Sequence, residues 1–221
     1  MNAQSSVVYV ITEAGNPPWQ SIALKTLQRI AAQDSCTLSV VESKAFVFPT
    51  NAILYPLTLD VPDELEFSGR SLFQQCQDLE GLRLLVNHQF GIATGEGSCW
   101  LPIVLTARGP LYAEAIAFVA NSKSYQQPLH LSDRQRQPLY QFGFQLLQFL
   151  KAIPAVYLLQ FSFQGETLCF DRLFPFPAEM AIASLSVQTP DLFTCHWRCL
   201  RGQPITDLRI DGSAAFLQLQ G

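Results

Sequence analysis

Hydrophobic and polar positions alternate most clearly between Ala155 and Ala178, AVYLLQFSFQGETLCFDRLFPFPA. This stretch predicts two apolar strands around a Gln164-Gly165 turn, closed by Pro175-Phe176-Pro177. A helix is predicted before it, over Gln135 to Lys151. Leu139, Phe142, Leu146, Phe149 and Leu150 recur there at helical spacing, opposite Gln137, Gln141, Gln145 and Gln148. Ser132 and Gln135 fit a capping box at its start, and Pro154 forbids its extension.

The same reading carries through the rest of the chain. Val7 to Thr12 predicts a strand, and Trp19, Ile22, Ala23, Leu27, Ile30 and Ala31 predict a helix begun by Pro17-Pro18 and ended near Asp34. Thr37 to Val41 predicts a second strand and Ala45 to Phe48 a third. Ile53 to Leu59 predicts another, which Pro56 confines to an edge or a bulge. Ser71 to Leu79 reads as a short helix stopped by Gly81, and Leu82 to Gln89, LRLLVNHQ, as a strand. Phe90 to Ser98 contains Gly91, Gly95 and Gly97 and reads as a mobile hairpin or a lid over a ligand. Trp100 to Thr106 and Leu111 to Val119 predict a hairpin, and Asn121 to Ser132 reads as polar coil. A loop with a helical turn is expected over Pro177 to Ser186. Pro190 to Leu200 predicts a helix burying Leu192, Phe193, Trp197 and Leu200, and Ile205 to Leu219 one or two short strands.

Composition adds limits. Hydrophobic residues are 48% of the 221 and charged residues 14%, a globular balance with much neutral surface that a partner can cover. A net charge of -4 offers no basic footprint for nucleic acid or an anionic membrane. The first residues carry no positive charge before their apolar run, and no apolar run approaches the ~20 residues that span a bilayer. These features predict a cytoplasmic protein with no nucleic acid partner and no membrane span.

The chemistry-bearing residues are sparse. Cys195, His196 and Cys199 invite a zinc site, but a closed site takes four ligands, and two thiols on one packed helical stripe is the plainer reading, so no metal is expected. His88, beside Gln89 and the glycine-rich segment, is the candidate general base, weighed against a structural histidine. Arg172 between apolar residues calls for a carboxylate, with Asp171, Glu166 or the acidic loop of Asp60, Asp63, Glu64 and Glu66 within reach. No glycine-rich phosphate loop is present.

Several segments in order, ILYPLTLD, FSGR, LRLLVNHQ, WLPIVLTARGPLYAEAI, AVYLLQF with LCFDRLFPFP, and PDLFTCHWRCLRGQPI, carry a family likeness. From Ile53 onward the chain resembles the carboxyl half of the ATP-grasp fold, the family that includes carboxylate-amine ligases such as glutathione synthetase. The resemblance implies an α+β fold, a mainly antiparallel sheet packed with helices, after a short α/β segment over residues 1–50. Residues 51–221 would form the ATP-grasp-like region, unless the whole chain is one unit. It also implies that FSGR, with Arg70, is a remnant of a glycine-containing flap. Gln164-Gly165 would join a metal-binding strand pair. Asp60 then stands where a lysine would meet the phosphates, and Gln160 where a magnesium carboxylate would be. Arg172 and Phe174 take the places of a metal-binding Glu and Asn. Asp171 could serve as a carboxylate only if the register slips by one, which turns a strand side chain to the other face. An acid repels a triphosphate and a neutral amide is a poor ligand for a hard dication. The expectation is a pseudoenzyme without cofactor that binds a protein partner or, second, a small ligand. The alternative is an ATP- and magnesium-dependent ligase with altered residues.

Overall fold

The computed structural model describes residues 7–15, 17–42, 48–49, 52–62, 65–211 and 215–218. The chain opens with β1 (Val7–Thr12), α1 (Pro18–Gln33), β2 (Thr37–Glu42) and β3 (Ile53–Pro56). These strands form a parallel three-stranded sheet in the order β2-β1-β3, so Pro56 lies on an edge strand as its missing N–H requires. α1 packs over this sheet. Its buried Gln20 donates from Nε2 to the Leu57 carbonyl at 3.0 Å. Residues 45–47 of the expected third strand lie outside the described residues.

Two helices follow, α2 (Arg70–Gln77) and α3 (Leu79–Phe90), and then β4 (Ala93–Thr94). Here the structure corrects the sequence reading, because LRLLVNHQ is helical and not a strand. Asp78 caps α3 by accepting from the Gly81 N–H at 3.0 Å, and Gly91 ends it in the left-handed conformation, φ 64°. Gly81 therefore sits in the first turn of a helix and stops none.

Next come β5 (Cys99–Thr106), β6 (Gly109–Tyr112), β7 (Ala115–Val119) and β8 (Ser124–Leu129). β8 occupies the stretch expected to be coil. Its polar composition hides a strand whose Ser124, Tyr125 and Gln127 are buried, with Gln127 donating to the Glu114 carbonyl at 2.9 Å. α4 (Asp133–Phe149) follows, and the Gln135 side chain accepts from the Ser132 N–H at 3.0 Å, as the capping pattern predicts.

β9 (Ala155–Gln164) and β10 (Thr167–Phe174) then form the hairpin. A 3-10 segment (Glu179–Ser186), β11 (Gln188–Thr189), α5 (Leu192–Leu200), β12 (Arg209–Ile210) and β13 (Ala215–Gln218) complete the chain. The large sheet runs β13-β8-β7-β5-β9-β10-β4, with β6 paired to β5. Its pairs are antiparallel except β10 with β4.

The two faces of the large sheet bury separate cores. On one face, Leu101, Ile103, Tyr157, Leu159, Phe161 and Phe170 pack against α2, α3 and α4. On the other, Trp100, Val104, Val156 and Leu158 pack with the 3-10 segment, α5 and the N-terminal α/β unit. β9 serves both faces by strand alternation, which is why it is apolar almost throughout.

α5 is the joint of this second core. Asp191 caps it, accepting at 3.0 Å from both the Phe193 and Thr194 N–H groups. Tyr55 of β3 donates to the Phe193 carbonyl at 3.1 Å. The Val156 N–H donates to His196 Nδ1 at 3.0 Å, just beyond the point where β10 stops pairing with β9. Burial holds the His196 imidazole down to about 3. At the far end of α1, Asp34 accepts from Trp197 Nε1 and Gln203 Nε2, which keeps its carboxyl below the usual range.

Candidate functional site

The hairpin carries three of the residues singled out in the sequence, Gln160, Asp171 and Arg172, and the structure brings them together at a bulge. Phe170 pairs with Phe161 and Leu173 with Leu159, so Asp171 and Arg172 together oppose Gln160. One extra residue in a strand re-aims the side chains around it. At this bulge the Asp171 carboxylate is buried, its side chain 4% exposed, while the Arg172 side chain is 40% exposed.

The buried carboxylate is fully engaged. Arg83 of α3 donates from Nη2 to Asp171 Oδ1 at 2.6 Å and from Nε to the Asp171 main-chain oxygen at 3.1 Å. The Gly97 N–H donates to Oδ2 at 2.9 Å, and Arg172 Nε approaches Oδ1 at 3.4 Å. Gln160 Nε2 donates to the Gly97 carbonyl at 2.5 Å, and the Ser162 hydroxyl to the Glu96 carbonyl at 3.0 Å. Both polar groups of Gly97 are therefore held by the hairpin.

The glycine-rich segment is a strap. Thr94 pairs with Phe170, Phe170 with Phe161, and Phe161 with Cys99, so the four lie in one row across four strands. Three interstrand steps at ~4.8 Å separate Thr94 from Cys99 by ~14 Å. The chain between them has five residue steps, which reach at most ~17 Å when extended. Residues 95–98 must cross β10 and β9 nearly taut, with little slack to arch over a ligand. They cross on the face opposite the Phe161 and Phe170 side chains, which point into the α4 core. Contact is backbone to backbone, since a Cβ on Gly97 would lie 2.5 Å from the Phe161 carbonyl oxygen. The segment expected to be a mobile hairpin or lid is thus fastened by its own hydrogen bonds, including one from the Gly95 N–H to the Phe170 carbonyl at 2.9 Å.

The other candidates stand apart from this cluster. Asp60 is exposed in the loop after β3, and its N–H donates to Thr58 Oγ1 at 3.0 Å. Asp63 and Glu64 of the same loop lie outside the described residues. Arg70 begins α2 and pairs with Glu66. It lines an open groove of about 750 Å³ with Phe67, Gln74, Phe149, Lys151 and Ile153, between α2 and the end of α4. His88 and Gln89 are exposed in the last turn of α3 and bond each other, Gln89 Nε2 to His88 Nδ1 at 3.0 Å. No nucleophile or carboxylate meets His88 among the described residues. Phe174 is an aromatic neighbour of Phe176, with ring centres 6.2 Å apart.

Cys195 and Cys199 are buried and turn away from metal chemistry. Their thiols lie 3.5 Å from the Pro190 and Leu105 carbonyls, and burial pushes both thiols well up, Cys199 to about 12. Among the described residues no group of three or more His, Cys, Asp or Glu side chains is placed to hold a metal. Asp171 is the buried carboxylate a cation would need, and its oxygens already meet a guanidinium and an N–H. A hard dication needs several oxygen ligands, so the residues present do not fit magnesium.

Arg83, Gly97 and Ser162 complete the cluster; the sequence alone assigns Arg83 and Ser162 no role and places Gly97 only in the glycine-rich segment. Arg83 lies in a stretch that reads as a strand. Its helical signal is Leu79, Leu82, Val86 and Phe90 at helical spacing, with a capping Asp78 before and Gly91 after.

No family model matches the sequence, and no curated protein matches it. Solved structures do match in fold. Glycinamide-RNase-transformylase T from Mycobacterium tuberculosis superposes with a TM-score of 0.70 at 17% identity, over 95% of this chain and 83% of that one. N5-carboxyaminoimidazole ribonucleotide synthetase from Thermus thermophilus gives 0.68 at 12%, over 90% and 79%. N5-carboxyaminoimidazole synthetase from Staphylococcus aureus, complexed with ADP, gives 0.67 at 8%, over 93% and 80%. At these identities the likeness is one of fold, and the fold of this chain is ATP-grasp-like.

Proposed function

We propose that this chain is a non-catalytic ATP-grasp-like protein of the cytosol that works by binding, with a protein as its partner and a small ligand as the second option. The observation that carries the reading is the engagement of the hairpin. Asp171 is neutralised by Arg83 and bonded to Gly97, while Gln160 and Ser162 are spent on the strap main chain. Phosphoryl transfer works through positioning and through neutralising charge with metal ions and cationic side chains. A face closed by a taut backbone leaves those groups no room to act. The low charged fraction, 14%, and the net charge of -4 favour a neutral protein surface over nucleic acid as the partner.

Thermal unfolding of the purified chain with ATP or ADP and magnesium tests the catalytic half. The midpoint is expected to stay where it is, with no nucleotide hydrolysis in the presence of candidate acids and amines. A ligand at 100 times its Kd adds about 2.7 kcal/mol, which is roughly 5–10 °C for a domain of this size. A magnesium-dependent rise of that order would instead support a ligase with altered residues. Size-exclusion of the chain from its native cell extract tests the partner half. Elution at a mass above that of the purified chain is expected, and identical elution argues against a stable partner.

A further inference from the structure

The strap is taut only while β4 is paired. β4 is two residues long, and it holds to β10 through Cys169 with Ala93 and Phe170 with Thr94. Upstream, Gly91 ends α3 with φ 64° and a Cβ there would meet nothing, so the chain can pivot at that residue. If β4 unpairs, residues 92–98 become one loop between Gly91 and Cys99, with enough length to lift off the hairpin. Against this stand side-chain contacts at the strap itself, from Asp171, Gln160 and Ser162, and main-chain bonds from the Gly95 N–H to the Phe170 carbonyl and from the Phe118 N–H to the Ser98 carbonyl. Only the Asp171 contact involves a charge, and that carboxylate is placed by Arg83.

We infer that Arg83 is the latch of a releasable strap: its guanidinium, carried on α3, holds the Asp171 carboxylate on the Gly97 N–H, and its loss frees residues 92–98 as a unit. The geometry is two-pronged. Nη2 reaches the carboxylate and Nε reaches the main-chain oxygen of the same residue, a fork that an ammonium group does not reproduce. The Arg83 side chain is 19% exposed, and Glu80 Oε1 lies 3.4 Å from its Nη1 on the solvent side. Arg172 is the other cation near Asp171, and its more exposed side chain approaches at a longer distance. Without Arg83 the buried carboxylate loses its principal counter-charge and is no longer held in place by the guanidinium fork. That weakens the Gly97 contact. Arg83 is thus a positioning residue, acting through Asp171; its own polar partners are Asp171 and Glu80.

The inference rests on reading the hairpin face as closed in the resting chain. Magnesium-dependent ATP binding by the unaltered protein would defeat that reading, whereas the experiment here defeats only the latch. Amide hydrogen exchange is followed by NMR on the full chain, on Arg83→Ala and on Arg83→Lys. In Arg83→Ala the Gly95 and Gly97 amides are expected to exchange faster by a common factor, on the order of ten-fold or more. Core amides between β5 and β9 keep their protection. Millimolar methylguanidinium chloride then slows both strap amides again in a saturable way, while ethylammonium chloride at equal concentration does not. Arg83→Lys is expected to fall between the two and serves if the alanine variant does not fold. Unchanged strap exchange in both variants overturns the latch. So does acceleration spread equally over the core, or acceleration that methylguanidinium fails to reverse.

Discussion

At position 97 the main chain of the strap and that of β9 are in contact, and the glycine is required by that approach. An alanine Cβ would lie 2.5 Å from the Phe161 oxygen, 2.6 Å from its carbonyl carbon and 3.0 Å from its Cα, all backbone atoms that cannot rotate away. Gly97→Ala is expected to lower stability by about 1–3 kcal/mol in urea denaturation, as overpacking does. At Gly95 a Cβ would meet nothing within 4 Å, so Gly95→Ala is the control and should stay within about 0.5 kcal/mol. His196 makes a second prediction at this scale. Its folded imidazole is pushed to about 3 from an ordinary 6.5, so between those values the unfolded chain holds one proton more. Stability is fully present above pH 6.5 and falls by about 1.4 kcal/mol per pH unit below it. Denaturation between pH 7 and 4.5 checks this, and His196→Asn, which keeps an acceptor for the Val156 N–H, should flatten the slope.

Among the elements, legibility in the sequence follows the strength of the local pattern. The β9–β10 hairpin, α1, α4 and α5 are readable because alternation or helical spacing runs for several turns or pairs and the caps agree with it. α3 is not, because its apolar run from Leu82 to Val86 fits a short strand as well as a buried helical face, and Gly81 imitates a stop. β8 is not, because its buried positions include Ser124 and Gln127, whose hydrogen bonds replace the apolar signal. The site is half legible. Gln160 and Arg172 stand out as departures from a metal-binding pattern and Asp171 as the carboxylate a register slip could supply, but what Asp171 does depends on Arg83, which is 88 residues away in the chain. The bulge at Asp171 and Arg172 is a property of strand pairing and has no local signature. α5 supplies the element-scale prediction. Asp191 takes two main-chain donors and the Thr194 hydroxyl, at 2.6 Å, so Asp191→Ala should destabilise by about 1–2 kcal/mol and Asp191→Asn by less. Calorimetric unfolding separates the two.

Over the whole molecule, one sheet with a core on each face fixes both walls of the strap. The α4 side receives Phe161 and Phe170, which turns the opposite face of the hairpin toward residues 95–98, and α3 packs at the edge to bring Arg83 to the bulge. The fold is thereby kept while the groups on its hairpin are used internally. Proteins of similar fold from Mycobacterium tuberculosis, Thermus thermophilus and Staphylococcus aureus match over 90% or more of this chain. The most direct test is a titration of the nitrogen-15-labelled chain with magnesium ATP to millimolar concentration, following the amides of Gly95, Gly97 and Asp171. A strap that fills the face predicts that these resonances do not move. Saturable shifts at those three amides that require magnesium would contradict it.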